Sequence, residues 1–234
     1  MKSIKQHILE RLVLSKNKKP TLFPKTKEEL VEIIKNEIAD NGKKCSLNHI
    51  DVSNITDFSY LFASIKAPET YGLNLFNGDI SDWDMSNATN LWGMFYGSSF
   101  NGDLSKWNVS KVENMFYIFA HSRYTGENGD ISDWDVSSVT SLTLAFWQSK
   151  YAGDISNWDV SNVKNLRSVF DGNKVFNCDL SNWDVSNVQS VEEAFARTNY
   201  TRNLDSWNLK NCRNFDKCFD KSPLEKNPPI WYRK

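Results

Sequence analysis

"DISDWDMSNATNLWGMFYGSSFNG", from Asp79 to Gly102, is followed at once by "DLSKWNVSKVENMFYIFAHSRYTGENG", from Asp103 to Gly129, with the same skeleton and different fillings. A segment that returns at a fixed period of about 20 to 50 residues marks a stacked array, and it overrides any window-by-window reading. Aligned on the tryptophan of Asp-Ile/Leu-Ser-x-Trp, the copies fall at Trp83, Trp107, Trp134, Trp158, Trp183 and Trp207, spaced 24, 27, 24, 25 and 24 residues apart. An earlier, degenerate copy, "IDVSNITDFSYLF", lacks the tryptophan but keeps Asp51, Ser53, Asn54 and Phe62. The phenylalanine closing each copy recurs in step as Phe62, Phe95, Phe119, Phe146, Phe170, Phe195 and Phe219, which makes seven coils.

Within a coil, the run from Asp to Trp is too short for a helix, and its Ile or Leu stands three residues before its Trp, which predicts a brief strand. The Asp-Val-Ser-Asn-Val that follows supplies Asx and Ser turn chemistry. In "NLWGMF", Leu91, Met94 and Phe95 stand at i, i+3 and i+4, which predicts one or two helical turns. One such unit cannot bury its own apolar face, whereas stacked copies share a continuous core. The expected fold class is an α/β repeat solenoid of about seven coils. Upstream, "TKEELVEIIKNEIADNG" opens on a capping box of Thr26 and Glu29, carries Leu30, Ile33, Ile34 and Ile38 on one stripe, and stops at Gly42. It reads as a capping helix for the first coil, preceded by a basic amphipathic leader helix over residues 1–19. Residues 20–44 then hold the linker and capping helix, 45–222 the repeats, and 223–234 a proline-rich tail whose Trp231 and Tyr232 can lie over the last coil.

The combination of Phe-Asn-Gly-Asp-Ile/Leu-Ser-x-Trp with Asp-Val-Ser-Asn-Val and a closing Met/Ala-Phe, at copies near 25 residues, resembles the BspA-like leucine-rich-repeat family of bacterial surface proteins and lipoproteins. The resemblance covers roughly Ser46 to Ser222. It implies leucine-rich-repeat-like coils, each of one short strand plus one short helical turn, with N-terminal capping helices, and a non-enzymatic role in adhesion or protein binding. The chain departs from surface members in showing neither an export signal nor a lipid-attachment cysteine near its start, the first being Cys45. That points to a cytoplasmic location, or to a virion, ahead of the cell surface.

The 234 residues carry a formal net charge of -1, which argues against whole-protein attraction to nucleic acid. Residues 1–44 hold 11 Lys/Arg and 6 Asp/Glu, net +5, and residues 45–234 hold 17 and 23, net −6. No stretch approaches the roughly 18 apolar residues of a membrane span. Cys45, Cys178, Cys212 and Cys218 make no Cys-x-x-Cys pair and have no His at zinc-ligand spacing, so no metal is expected and the last three read as small buried apolar residues. No cofactor motif is present, and the three histidines, His7, His49 and His121, fall in different parts of the pattern.

Asp79, Asp103, Asp130, Asp154 and Asp179 stack at one repeat position. A row of cation sites or a catalytic acid pair is one reading. A structural ladder of carboxylates bonding turn amides is the other, and it is favoured because a catalytic pair occurs once while this position recurs in nearly every coil. The second column, Asp51, Asp84, Asn108, Asp135, Asp159, Asp184 and Asn208, alternates Asp with Asn, so it needs hydrogen bonding and not charge. Neither column makes the chain an enzyme. Trp83 to Trp207 are core.

Specificity is expected where the repeat tolerates anything. The pair inside "NLWGMF" should face solvent, and coil by coil it reads Ser59-Tyr60, Trp92-Gly93, Phe116-Tyr117, Thr143-Leu144, Arg167-Ser168, Glu192-Glu193 and Asp216-Lys217. Tyr60, Trp92, Phe116, Tyr117 and Leu144, extended by Tyr96 and Trp147, form an exposed aromatic strip on the first four coils. The leader helix folding back, a protein partner, or self-association could cover it. The expected function is a scaffold that binds another macromolecule, most simply a protein, through this strip, as a bacterial or phage component. The alternative is an adhesion module whose rings stack on carbohydrate.

Overall fold

The computed structural model describes residues 20–64 and 71–233. The leader helix expected over residues 1–19 lies outside the described residues. Helix α1, Lys27–Asn41, starts where Thr26 accepts the Glu29 amide at 3.2 Å and ends at Gly42, whose φ of 82° lets its N–H return to the Ile38 carbonyl. Leu30, Val31 and Ile34 are its buried face, while Ile33 and Ile38 pack only partly against the core. Its first turn is fastened to the first coil by Lys27, whose ammonium reaches the Asp57 carboxylate at 3.1 Å and the Ser59 hydroxyl at 2.7 Å.

Beyond α1 the described residues contain no β-strand and no second α-helix, only two short 3-10 turns at Pro223–Glu225 and Ile230–Tyr232. The α/β solenoid of leucine-rich-repeat-like coils, each a strand plus a helical turn, is therefore corrected: the coils are made of turns. Among the described residues there is likewise one capping helix and not several. The physical reason lies in how the coil divides its amides. In the second coil the N–H groups of Met94, Tyr96 and Ser98 close turns onto the carbonyls of Leu91, Gly93 and Phe95 three residues back. Those of Leu91, Gly93, Phe95 and Gly97 leave the coil and donate to the carbonyls of Asn114, Phe116, Ile118 and Ala120 in the next. Alternate donors thus serve turn and stack, so neither an i→i−4 helix nor a strand ladder can form. Gly93 and Gly97, at φ 58° and 60°, provide the left-handed step each turn needs.

Three further turns per coil fix its corners. The Asp79 column accepts the amide two residues on, at 2.9 to 3.0 Å from Ser81 to Ser181, and Asn203 does the same for Asp205. The Asp84 column repeats this at 2.9 to 3.1 Å from Ser53 to Ser186. At the third corner, Asp57, Asn90, Asn114, Asn165 and Asn214 do it again, with Ser141 and Ser190 substituting their hydroxyls. These corner residues are also where successive coils meet, in a column of single parallel bridges running from Asp57 through Asn90 to Asn214.

The interior is three aromatic columns. The closing phenylalanines stack from Phe62 to Phe219 at 5.5 to 5.8 Å. Beside them run Phe76, Phe100, Tyr124, Tyr151, Phe176 and Tyr200 at 5.9 to 6.5 Å. In the third, each indole N–H from Trp83 to Trp207 donates to the carbonyl of the Leu or Ile at the start of the preceding coil, at 2.8 to 3.0 Å. Trp231 completes this column: it stacks on Trp207 at 6.1 Å and donates to the Leu204 carbonyl at 2.7 Å. Its distance from Trp207 is one further period of 24 residues.

Tyr124 and Tyr151 give their buried hydroxyls to the carbonyls of Gly129 and Asp154, whereas the Tyr200 hydroxyl is buried without a partner among the described residues. Since phenylalanine already fills this column at Phe76, Phe100 and Phe176, Tyr200→Phe should stabilise the protein by about 1 kcal/mol, and Tyr124→Phe should destabilise it by about as much. Urea denaturation of the two variants side by side checks the opposite signs.

Candidate binding site on the aromatic face

The turns with left-handed residues place side chains of each coil on a common outer face, two or three in each of the second to fourth coils, and rings of adjoining coils lie a stacking distance apart. Tyr60 meets Trp92 at 5.4 Å, Trp92 meets Phe116 edge-on at 5.7 Å, and Phe116 lies 4.4 Å from Tyr117. Tyr117 in turn touches Tyr96 at 5.7 Å and Trp147 at 6.2 Å. Mostly edge-to-face contacts of this kind hold rings in one arrangement without burying them fully. Gly93 contributes by having no side chain, because a Cβ there would lie 2.6 Å from the Tyr60 ring.

The expected strip is thus brought together, but it is not uniformly exposed. Trp92 is 38% accessible, while Tyr60, Tyr96, Phe116, Tyr117, Leu144 and Trp147 are half-buried against one another. Of the positions expected to face solvent, Gly93, Thr143 and Ser168 are buried. A residue that sequence reading left out joins the face: His121 packs 5.5 Å from Tyr96 and 4.4 Å from Trp147, and partial burial lowers its pKa. The signal was present, since His121 occupies the column of Gly97 and Gln148, two residues past the closing phenylalanine.

After Trp147 the same face becomes ionic. Asp171, in the column of Tyr96 and Trp147, accepts from Arg197 Nε at 2.8 Å, and Arg197 also lies 3.6 Å from Glu193 and 3.9 Å from Asp220. Arg167 pairs with Glu192 at 3.5 Å. The boundary between aromatic and charged halves falls between the fourth and fifth coils.

The carboxylates that looked like candidate acids are spent in turns. Asp84, Asp135 and Asp184 are held below the usual carboxylate range by the hydroxyl and then the amide of the serine two residues on, and Asp154 and Asp179 by the amide and then the hydroxyl. Among the described residues, no three His, Cys, Asp or Glu side chains are grouped to hold a metal ion. Of the cysteines only Cys218 is buried; Cys45, Cys178 and Cys212 are partly exposed, and the Cys178 thiol, pushed up to about 11 first by burial, lies 3.2 Å from Asp154. Asp103→Ala should cost about 1 kcal/mol and Asp103→Asn only a few tenths, because an amide oxygen serves the turn as Asn203 does; thermal melts distinguish the two.

A family model described as "Mycoplasma protein of unknown function, DUF285" matches residues 43–129 and 121–231, most of the chain. The chain belongs to this family. The second match runs to residue 231, so it takes in the tryptophan that ends the indole column. No curated protein and no solved structure matches the chain. Among the described residues, no helix is long and apolar enough to cross a membrane.

Proposed function

We propose that this member of the DUF285 family is a non-enzymatic binding module whose aromatic face on the first four coils takes a partner protein. The reading is carried by one observation: seven rings, from Tyr60 through Trp92, Phe116, Tyr117, Tyr96 and His121 to Trp147, touch in sequence across one face, with Trp92 and His121 exposed. Half-buried Trp and Tyr side chains already fixed by their neighbours lose little entropy on docking, which is why such residues dominate interface energetics. The resemblance to BspA-like repeats supports the same reading, and the use of the stacked carboxylates in turns removes the most obvious catalytic acids.

Immobilised full-length protein and a Trp92→Ser/Tyr117→Ser variant with unchanged circular dichroism form the test. A protein retained by the first and lost from the second is the expected result. Identical retention profiles for both would sink the proposal, and a carbohydrate bound on a glycan array and lost with the same variant would replace the protein by a sugar.

A further inference from the structure

On the aromatic-to-ionic face, the bonds between coils run one way. Each coil donates amides to the carbonyls of the next, as Leu91, Gly93, Phe95 and Gly97 do to the third coil and Val191, Glu193, Phe195 and Arg197 do to the seventh. The stack therefore has a polarity on this face, with carbonyls facing one end and N–H groups the other. At the carbonyl end, α1 lies over the first coil and its Lys27 ammonium sits against Asp57 and Ser59. Leu61, Phe62 and Ala63 are fully covered there.

The amide end is finished differently. Of the four outward donors of the seventh coil, only Lys221 is satisfied, by Glu225 at 3.0 Å. Among the described residues, nothing accepts from the amides of Phe215, Lys217 and Phe219; Phe219 is buried beneath Trp231 and Tyr232, which leaves Phe215 and Lys217 as the open donors. The tail covers the indole column through Trp231 but leaves beside it a cleft of about 870 Å³, lined by Arg213, Phe215, Asp216, Lys217, Tyr232 and Arg233 among others. Three cations against one carboxylate line an edge that already presents N–H groups; Lys217 lies 4.0 Å from Asp216, and Arg213 and Arg233, with no acid paired to them among the described residues, add positive charge to the pole. Cations at a donor-rich pole are unfavourable in the free protein, as they are at a helix N-terminus, and they become favourable once an anion arrives.

We propose that this open amide edge is a second docking site, and that its occupant is an acidic, extended peptide segment of a partner protein, laid on the seventh coil as an eighth rung. The Phe215 and Lys217 amides would donate to its carbonyls or carboxylates, Arg213, Lys217 and Arg233 would pair with its acidic side chains, and Phe215 and Tyr232 would floor the cleft. Edge addition of this kind takes affinity from main-chain hydrogen bonds and selectivity from the side chains beside them. Residues 1–19 of the same chain are a poor occupant on charge, with six Lys/Arg against one Glu. A second copy stacked head to tail would need its first-coil carbonyls, and of the residues that bear them Leu61 and Ala63 are buried.

The test uses full-length protein and two fluorescein-labelled heptapeptides, one alternating glutamate with valine and one alternating glutamine with valine, in anisotropy titrations with residue-resolved amide exchange. The expected result is binding of the glutamate peptide, at least tenfold weaker for the glutamine peptide and for an Arg213→Gln/Lys217→Gln variant. Exchange should slow at Phe215 and Lys217, and Trp92→Ser/Tyr117→Ser should leave all of this unchanged. Binding indifferent to both changes, or protection elsewhere, overturns the proposal. So does a ten-residue oligothymidine that binds more tightly at the same residues, which would make the edge a phosphate site, or a concentration-dependent mass in sedimentation that disappears in the Arg213/Lys217 variant.

Discussion

Replacing Trp134 by alanine is expected to cost about 3–5 kcal/mol, the range for emptying a large aromatic site in a packed core. The indole is 3% accessible, stacks on Trp107 at 6.3 Å with the planes 3° apart, and lies 6.2 Å from Phe119. Its N–H donates to the Leu104 carbonyl at 3.0 Å, so the truncation leaves a void and removes one of the two hydrogen bonds that carbonyl accepts, the other coming from the Trp107 amide. The position matters as much as the volume. In a stack whose stability is a sum of nearest-neighbour interfaces, a defect in the fourth coil weakens the contacts on both sides and lets the two halves unfold separately. Urea denaturation followed by far-ultraviolet circular dichroism should show a lower midpoint and a broadened or two-step transition. Trp134→Phe keeps a ring in the column and loses only the hydrogen bond, for about 1 kcal/mol. A Trp134→Ala loss of less than 1 kcal/mol would mean that the indole column fills space without holding the coils together.

What could be read in the sequence was the register. The Trp and Phe anchors keep step through every insertion because each must land on its own kind in the next coil, and the Asp-x-Ser and Asn corners are legible because Asx turns need that side chain at that offset. Strand and helix were misread for a local reason. Leu91, Met94 and Phe95 have helical spacing, but a chain of turns closed over three residues also returns apolar side chains inward at that spacing. Glycine, which would have announced the left-handed steps, stands there only as Gly93, Gly97 and Gly172; elsewhere Tyr60, Tyr117, Leu144, Glu193 and Lys217 adopt φ of 51° to 58° themselves. Each such residue is held against a preference of roughly 1–2 kcal/mol, and the inter-coil amide bonds made by Tyr60, Tyr117, Leu144 and Glu193 offset it; Lys217, in the last coil, makes none. The strip was legible as composition, while its half-burial was not, since that depends on how the rings of adjoining coils tilt. The last tryptophan was legible as a cover for the last coil, but not as a member of the indole column, because the proline-rich tail lacks the rest of the repeat although the spacing from Trp207 is the period itself.

Arg197→Gln is expected to cost about 2–3 kcal/mol at neutral pH, somewhat below the 3–5 of a fully buried pair because the guanidinium is 38% accessible. Its partner is not exposed: the Asp171 side chain is 3% accessible and takes Arg197 Nε at 2.8 Å. Burial raises the Asp171 pKa above the usual carboxylate value, Arg197 pulls it back, and Glu193 pushes it up again. Without Arg197 only the two upward influences and the hydrogen bond from Trp147 remain. A carboxyl whose pKa is higher folded than unfolded binds its proton more tightly in the native state. Its protonation therefore stabilises the fold, with the full benefit below the unfolded value near 4 and loss as pH rises through the folded one. The deficit of Arg197→Gln relative to the parent should accordingly be largest at pH 7 and shrink towards pH 4, as the stranded Asp171 takes up its proton. Adding Asp171→Asn should abolish that dependence and recover most of the lost stability, since an amide at 171 carries no charge to strand. Denaturant midpoints for the parent, Arg197→Gln and the double variant across this range measure it, and a deficit equal at both ends would show that Arg197 acts through its packing and through Glu193 and Asp220 on the surface, not through the buried acid. Because Asp171 sits next in the column after Trp147 and its carbonyl takes the amide of the adjoining Gln148 at 2.8 Å, the same substitution should also loosen the end of the aromatic face, seen as a change in Trp147 fluorescence against a Trp147→Phe reference.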